Sequence, residues 1–303
     1  MWFFKHTSMA IGEGVVRDFA FVDILIQDIL GECSKKGFPF VVGITGPQGS
    51  GKSTVSEELI RRLEAQPGWG KDAVVVISID DLYVGKDARE VLAAEKKSNL
   101  LKKRGVPGTH DPLLGVSVIE ALSKPFETFV PVSLPRFDKA TDSPIPKDQW
   151  PVVNQPPKVI ILEGWCVGAS KMTLDQACQN LPERLKVRMN EPDVAHWIET
   201  WVEALGSKSY QDLFQKINYQ VSFVLTEGLS AVYRNREQQE AELRDAIQSG
   251  RRHGSAMSPE DVVAFVDLFA PLTQHIQNDL PTRSNAVISV TGRTYSVQVH
   301  HTA

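Results

Sequence analysis

Phe40-Val41-Val42-Gly43-Ile44-Thr45-Gly46-Pro47-Gln48-Gly49-Ser50-Gly51-Lys52-Ser53-Thr54 is an apolar run that stops at a glycine-rich turn and continues into helix-forming sequence. It fits the phosphate-loop pattern G-x-x-x-x-G-K-[ST] in the context that pattern requires, with a buried-type strand before it and apolar residues at helical spacing after it. Glycines at 46, 49 and 51 are expected to take positive φ, so that successive N–H groups converge on one anion. The helix predicted over residues 52–64 adds its N-terminal partial charge at the same point. Lys52 would then reach the β- and γ-phosphates of a nucleotide, and the Ser53 hydroxyl would hold a Mg²⁺ that bridges them. The competing reading, a Gly/Ser-rich loop with an incidental lysine, leaves the flanking strand and helix unexplained.

The chain has 303 residues, a length normal for a single α/β domain with insertions. Hydrophobic residues make up 42% and charged residues 23%, which is globular composition and excludes a disordered chain. No apolar run approaches the ~18 residues needed to span a bilayer, so no membrane partner is expected. The formal charge of −4, with no basic stripe, argues against a nucleic-acid backbone as the main partner. Cys33, Cys166 and Cys178 are odd in number and form no C-x-x-C, as expected for reduced thiols rather than a disulfide frame or zinc site. The expected compartment is the cytoplasm, with the nucleus as the alternative. Residues 1–10 show no basic stretch followed by a long apolar core, so no secretory signal is expected.

Residues 1–37 form a predicted N-terminal helical extension, its helix spanning 15–30 and closing at Gly31. After the phosphate loop, residues 73–79 (AVVVISI) are a β-branched run of the kind found in parallel sheets covered on both faces. The run ends in Asp80-Asp81-Leu82-Tyr83, and residues just past the carboxyl ends of such strands line the ligand crevice, so an acid there faces the phosphates. Residues 84–157 are charged and helix-like at first, then proline-rich. They are expected to be mostly extended or looping and to form a substrate-binding insertion, with disorder as the alternative.

Residues 158–164 are a third buried strand that turns abruptly acidic at Glu163, the Walker-B form in which a carboxylate orients Mg²⁺ or its waters. A helical region over 193–217 carries Trp197, Trp201, Leu205, Leu213 and Phe214 as core, followed by a strand over 219–225. A long charged helix over 229–247 leads into Ser249-Gly250-Arg251-Arg252-His253-Gly254. Ser258, Pro259, Glu260 and Asp261 mark the start of the last helix, which Pro281 ends. A strand over 286–290 and an antiparallel edge strand over 294–299 close the chain.

With the phosphate loop, S-I-D-D-L-Y (78–83), R-G-V-P-G-T-H-D (104–111), L-P-R-F-D-K-A (134–140), I-L-E-G-W-C-V-G (161–168) and M-S-P-E-D-V-V-A-F-V (257–266) in this order, the chain resembles the D-glycerate 3-kinase family of plants and fungi. That family is a branch of the P-loop kinases that also includes uridine kinase, phosphoribulokinase and bacterial pantothenate kinase. The resemblance implies one P-loop NTPase domain over residues 1–303: an α/β fold with a mostly parallel five-stranded sheet in the order 2-3-1-4-5, flanked by helices, with substrate-binding insertions and a lid over 226–257. It also implies an ATP- and Mg²⁺-dependent kinase, a monomer or small homo-oligomer, whose partners are ATP and a small hydroxy acid. The implied reaction is D-glycerate to 3-phosphoglycerate. The chain departs from the family's V-Y-x-W-R pattern at Asn235, where a tryptophan is expected.

By residue, the resemblance makes Asp80 the base toward the acceptor hydroxyl and, with Ser53 and Glu163, a metal ligand. Asp81 is expected to cap a helix or stand in the Mg²⁺ shell. The loop from Gly46 through Thr54 would bind ATP, joined by lid arginines Arg236, Arg251 and Arg252; the alternative for the last two is a solvated basic turn. Lys52 and Glu163 complete the catalytic group. Tyr83, Arg104, His110, Arg136 and Lys139 would bind the acceptor, since a carboxylate calls for a fork of donors. His110 as a plain loop histidine and Arg136 as a surface residue are the alternatives. Two other functions remain open from the sequence: a kinase for another hydroxyl acceptor (a nucleoside, pantothenate or a sugar phosphate) and a regulatory nucleotide-binding ATPase. The pairing of Asp80 with Glu163 disfavours the second.

Overall fold

The computed structural model describes residues 19–251 and 256–300. The secretory-signal expectation, the start of the predicted 15–30 helix and Arg252 lie outside the described residues. Strand β1 (Phe40–Thr45) is buried along its whole length, as its unbroken apolar sequence requires of a central parallel strand. Around it stand β2 (Val74–Ser78), β3 (Val159–Gly164), β4 (Tyr219–Leu225), β5 (Ala286–Thr291) and β6 (Thr294–Val299). The order across the sheet is β6-β5-β4-β1-β3-β2. The first five strands run parallel in the expected order, and β6 turns back antiparallel beside β5.

Two apolar layers cover the sheet. On one side α1 (Ala20–Lys36) and α2 (Lys52–Glu64) bring Leu25, Ile29, Leu59 and Leu63 against Val42, Ile44 and Ile161. The first helix does not close at Gly31, which is exposed with open space around it. It runs on to Lys36 and ends at Gly37, whose φ of +85° stops the helix while its N–H donates to the Cys33 carbonyl at 2.8 Å.

The opposite layer begins in residues 84–157, which are more regular than their prolines suggest. They contain α3 (Lys86–Glu95), a 3₁₀ turn at Asn99–Lys102 and α4 (Pro112–Leu122). Asp111 caps α4 by accepting from the Leu114 N–H at 2.9 Å. Two short antiparallel ladders follow, Val132–Ser133 with Val152–Val153 and Phe137–Asp138 with Ser143–Pro144. Leu101, Val118, Ile119, Leu122, Val132 and Leu134 are buried in the same core as Ile160 and Leu162, so the segment is folded and not disordered.

Short helices α5 (Leu174–Gln179) and α6 (Glu183–Lys186) lead to α7 (Pro192–Gly206) and α8 (Lys208–Gln215). These last two divide what the sequence reads as one helical region. Ser207, in an extended conformation, separates them, and Trp197, Trp201, Leu205, Leu213 and Phe214 are all buried as expected. Helix α9 (Leu229–Gln248) packs along α10 (Pro259–Asp279), which is capped by Ser258 through the Asp261 N–H at 3.1 Å. Pro281 follows α10 in a 3₁₀ turn, Leu280–Arg283. Among the described residues no helix is long and apolar enough to cross a membrane.

Candidate active site

Strand register sets the site. Ile44 of β1 and Ser78 of β2 both stand opposite Glu163 of β3, so three neighbouring strands end level. The phosphate loop leaves the first tip, Glu163 occupies the middle one and Asp80 lies just beyond the third. Asp80 is in a single 3₁₀ turn, Ile79–Leu82, started by Ser78, whose hydroxyl accepts from the Asp80 N–H at 3.3 Å. That turn shortens the predicted strand by one residue and swings the carboxylate toward the loop.

Gly49 and Gly51 have φ of +74° and +80°, as the loop demands. Gly46 does not take positive φ; a side chain is excluded there because a Cβ would lie 2.7 Å from that of Phe223. The Ser50 N–H closes a turn on the Pro47 carbonyl at 3.2 Å, while the N–H groups of Gly49, Gly51, Lys52 and Ser53 find no backbone acceptor among the described residues. Unpaired donors at the start of a helix make an anion site.

A cavity of about 790 Å³ opens over the loop. Its lining includes every residue from Gly46 to Thr54, together with Asp80, Tyr83, Arg104, Lys139, Glu163 and Arg236. Six basic side chains line it against three acidic ones, in a chain whose net charge is −4. The cavity is thus locally selective for anions.

Inside it, Lys52 Nζ lies 2.5 Å from Glu163 Oε2. Burial pushes the Glu163 carboxyl up, but the Lys52 ammonium and its hydrogen bond outweigh it and hold the group below its ordinary value. Asp80 behaves in the same way. Burial raises it, Lys139 Nζ at 2.6 Å lowers it, and the net shift is downward, although about a third of the Asp80 side chain (32%) stays open to solvent. The buried Tyr83 hydroxyl is pushed well above its ordinary value, by burial first and by the neighbouring Asp80 second. Arg104 pairs with Asp142 and lies over the Phe137 ring at 5.6 Å, and Arg236 pairs with the buried Glu240.

Other predicted residues stand elsewhere. Arg136 does not line the cavity; it donates to Asp81 at 3.2 Å, and Asp81 also accepts from the Phe137 N–H at 3.2 Å. Asp81 thus fastens the insertion to the turn after β2 and does not line the cavity. His110 is buried beneath Tyr83, with ring centroids 4.4 Å apart, and its Nδ1 is 2.8 Å from the Tyr210 hydroxyl. Burial pushes its pKa down to about 4, so it is a neutral prop under the cavity wall and not a cation for a carboxylate. Arg251 is exposed, hydrogen-bonds to Ser249 Oγ at 2.8 Å and lies away from the cavity.

Three features escape the sequence reading. Lys102 and Lys103 line the cavity beside Arg104; the run Lys102-Lys103-Arg104 is their only trace in the sequence. Trp165, just past Glu163, forms part of the wall and donates from Nε1 to the Gly105 carbonyl at 3.0 Å. Asn235 touches the loop itself, with Nδ2 3.0 Å from the Gly49 carbonyl.

The donor set suits a hard cation. Ser53, Glu163 and Asp80 offer oxygen ligands around one cavity, and Mg²⁺ beside a nucleotide keeps waters and uses only one or two carboxylates. Among the described residues no group of three or more His, Cys, Asp or Glu that could hold a metal ion occurs.

No protein-family model matches the chain. It is 32% identical over 258 residues to the uncharacterized kinase mug58 of Schizosaccharomyces pombe, covering 82% of this chain and 85% of mug58. With the chloroplastic D-glycerate 3-kinase of Arabidopsis thaliana it shares 31% identity over 238 residues, covering 77% of this chain but 46% of the plant protein, so it spans about half of that relative's length. The solved structure of the YGR205w protein superposes with a TM-score of 0.67 at 26% identity, over 92% of this chain and 97% of the other. The phosphate loop, the acid-tipped strands and these relatives agree, and the chain belongs to the D-glycerate 3-kinase family of P-loop kinases.

Proposed function

We propose that this kinase transfers the γ-phosphoryl group of ATP to a hydroxyl of a small hydroxy acid, with D-glycerate as the acceptor and 3-phosphoglycerate as the product. The observation that carries the reading is the Asp80–Lys139 pair, a carboxylate and an ammonium 2.6 Å apart in the same cavity as the phosphate loop. Such a pair offers a hydroxy acid both things it needs, an acceptor for the hydroxyl proton and a cation for the carboxylate. The name of the Arabidopsis relative supports the choice of acid.

The triphosphate lies on the free amides of the loop and the N-terminus of α2, and Lys52 turns from Glu163 to the phosphate oxygens. Ser53, Glu163 and Asp80 would supply oxygen ligands to a Mg²⁺ ion, whose charge, when bound, would offset that of the β- and γ-phosphates. The acceptor oxygen forms its bond to the γ-phosphorus as the bond to the β-phosphate oxygen breaks; ADP leaves and the hydroxyl proton passes to Asp80. A carboxylate held ionised is a weak base, which suits a loose transition state in which the proton departs late. When the substrate carboxylate draws Lys139 away, Asp80 loses the cation that depresses it and becomes more basic at the moment of transfer.

An acceptor panel tests the reading. ADP release should be stimulated by D-glycerate over uridine, pantothenate and ribulose 5-phosphate. Stimulation by another acceptor with glycerate inert would overturn the substrate, and acceptor-independent hydrolysis alone would favour a regulatory ATPase.

A further inference from the structure

The phosphate loop is held open for its ligand from outside, by helix α9. Gly49 is half-buried in the loop with φ of +74°, and a glycine leaves the peptide plane joining it to Ser50 free to turn over. In one orientation the Gly49 carbonyl points away from the cavity; in the other it would present a negative dipole to the triphosphate. Here both ends of that plane are fastened. The Ser50 N–H donates to the Pro47 carbonyl at 3.2 Å, and the Gly49 carbonyl accepts from Asn235 Nδ2 at 3.0 Å. Asn235 also packs so closely that a Cβ on Gly49 would meet its own Cβ at 2.6 Å.

The neighbours of Asn235 on α9 show that the contact is aimed. Arg234 faces solvent and pairs with Glu227, whereas Arg236 enters the cavity and pairs with Glu240. Glu240 accepts from the Met257 N–H at 2.9 Å and Arg244 donates to the Met257 carbonyl at 2.6 Å, so the far end of the helix is pinned to the segment before α10. The helix is thus anchored at one end and rests on the loop at the other.

We propose that Asn235 is a positioning residue for the nucleotide site, which holds the Gly49 carbonyl turned out and so keeps the loop amides preorganised for the triphosphate. The inference rests on the reading that residues 46–54 bind ATP. Preorganisation by one hydrogen bond affects nucleotide affinity more than turnover, because the loop reaches the same geometry once filled. It also makes a chemical prediction: a carboxylate at 235 replaces a donor by an acceptor of the same shape and should be worse than no side chain at all.

The test titrates ATP into the wild type, Asn235→Ala and Asn235→Asp, and measures melting without nucleotide and hydrogen exchange at the loop amides. Expected are an ATP Kd raised roughly five- to tenfold in Asn235→Ala, as for one lost hydrogen bond, and raised further in Asn235→Asp. Loop exchange should be faster, nucleotide-free melting unchanged and kcat at saturating ATP close to wild type. An unchanged Kd in Asn235→Ala, or lower melting with an unchanged Kd, overturns the role and leaves Asn235 as packing. Failure of the wild type itself to bind ATP would instead remove the nucleotide site on which the inference stands.

Discussion

Lys139 Nζ and Asp80 Oδ2 are 2.6 Å apart across the cavity, and the two residues are 59 positions apart in the chain. The turn that carries Lys139 is held by Asp138, which accepts from the Ala140 N–H at 2.9 Å and the Thr141 hydroxyl at 2.8 Å. The insertion therefore brings a cation to the strand tip by its own local folding. This contact joins the insertion, where the acceptor is proposed to bind, to the proposed base.

Removing that cation should change the pH dependence in a defined direction. In the wild type, burial raises the Asp80 pKa and the groups around it, Lys139 foremost and Lys52 among them, together more than reverse it, so Asp80 is ionised down to a pH below the ordinary aspartate range. Because the folded-state pKa is depressed, the stability it contributes is present above the unfolded value and is lost as pH falls through the folded one. In Lys139→Met, burial acts with one opposing cation fewer. The acid limb of the kcat profile and the acid-unfolding midpoint should both move to higher pH, with KM for the acceptor raised. A pH–rate profile that superposes on the wild type would separate Asp80 from the proton transfer.

Lys52 and Asp80 should fail differently. Lys52→Ala removes the cation proposed to meet the phosphates and takes from Glu163 its ammonium partner, so ATP binding should weaken and kcat should fall by roughly 10²–10³. Asp80→Asn keeps the shape and the ATP affinity but cannot take a proton, and kcat should drop by about 10²–10⁴ with KM for ATP nearly unchanged. Near-normal turnover in Asp80→Asn, measured by ADP release, would show that another group is the base.

The β1–loop–α2 unit is legible in the sequence because its signals are local: an apolar strand, a glycine spacing and a helical period within 25 residues (40–64). Asp80 and Glu163 are legible for the same reason, each ending an apolar run. What the sequence hides are partners chosen over long distances. Arg136 and Arg104 look alike as insertion arginines, yet one is taken by Asp81 and the other by Asp142. Nothing local marks Asn235 as a neighbour of Gly49, 186 positions away. The insertion looks irregular because part of its core is polar. A charged residue at 89 breaks the apolar period of α3, although its side chain is fully buried.

That buried arginine yields the last prediction. Arg89 donates to the Val84 carbonyl at 3.0 Å, to the Lys102 carbonyl at 3.1 Å and to Asp142, which it shares with Arg104. One guanidinium thus ties the start of the insertion, the run that carries Lys102 and Lys103, and the turn after Lys139. Arg89→Met fills a similar volume but leaves two carbonyls and half of a carboxylate's partners unsatisfied. Breaking such a buried pair costs about 3–5 kcal/mol. Asp142 keeps Arg104, and a third of its side chain (33%) is open to water, so the low end of that range is expected. Adding Asp142→Asn should cost little more, because most of the pair is already lost, and the double variant should fall well short of additivity in urea unfolding. Full additivity would mean that Arg89 acts through the two carbonyls alone and that Asp142 serves only Arg104.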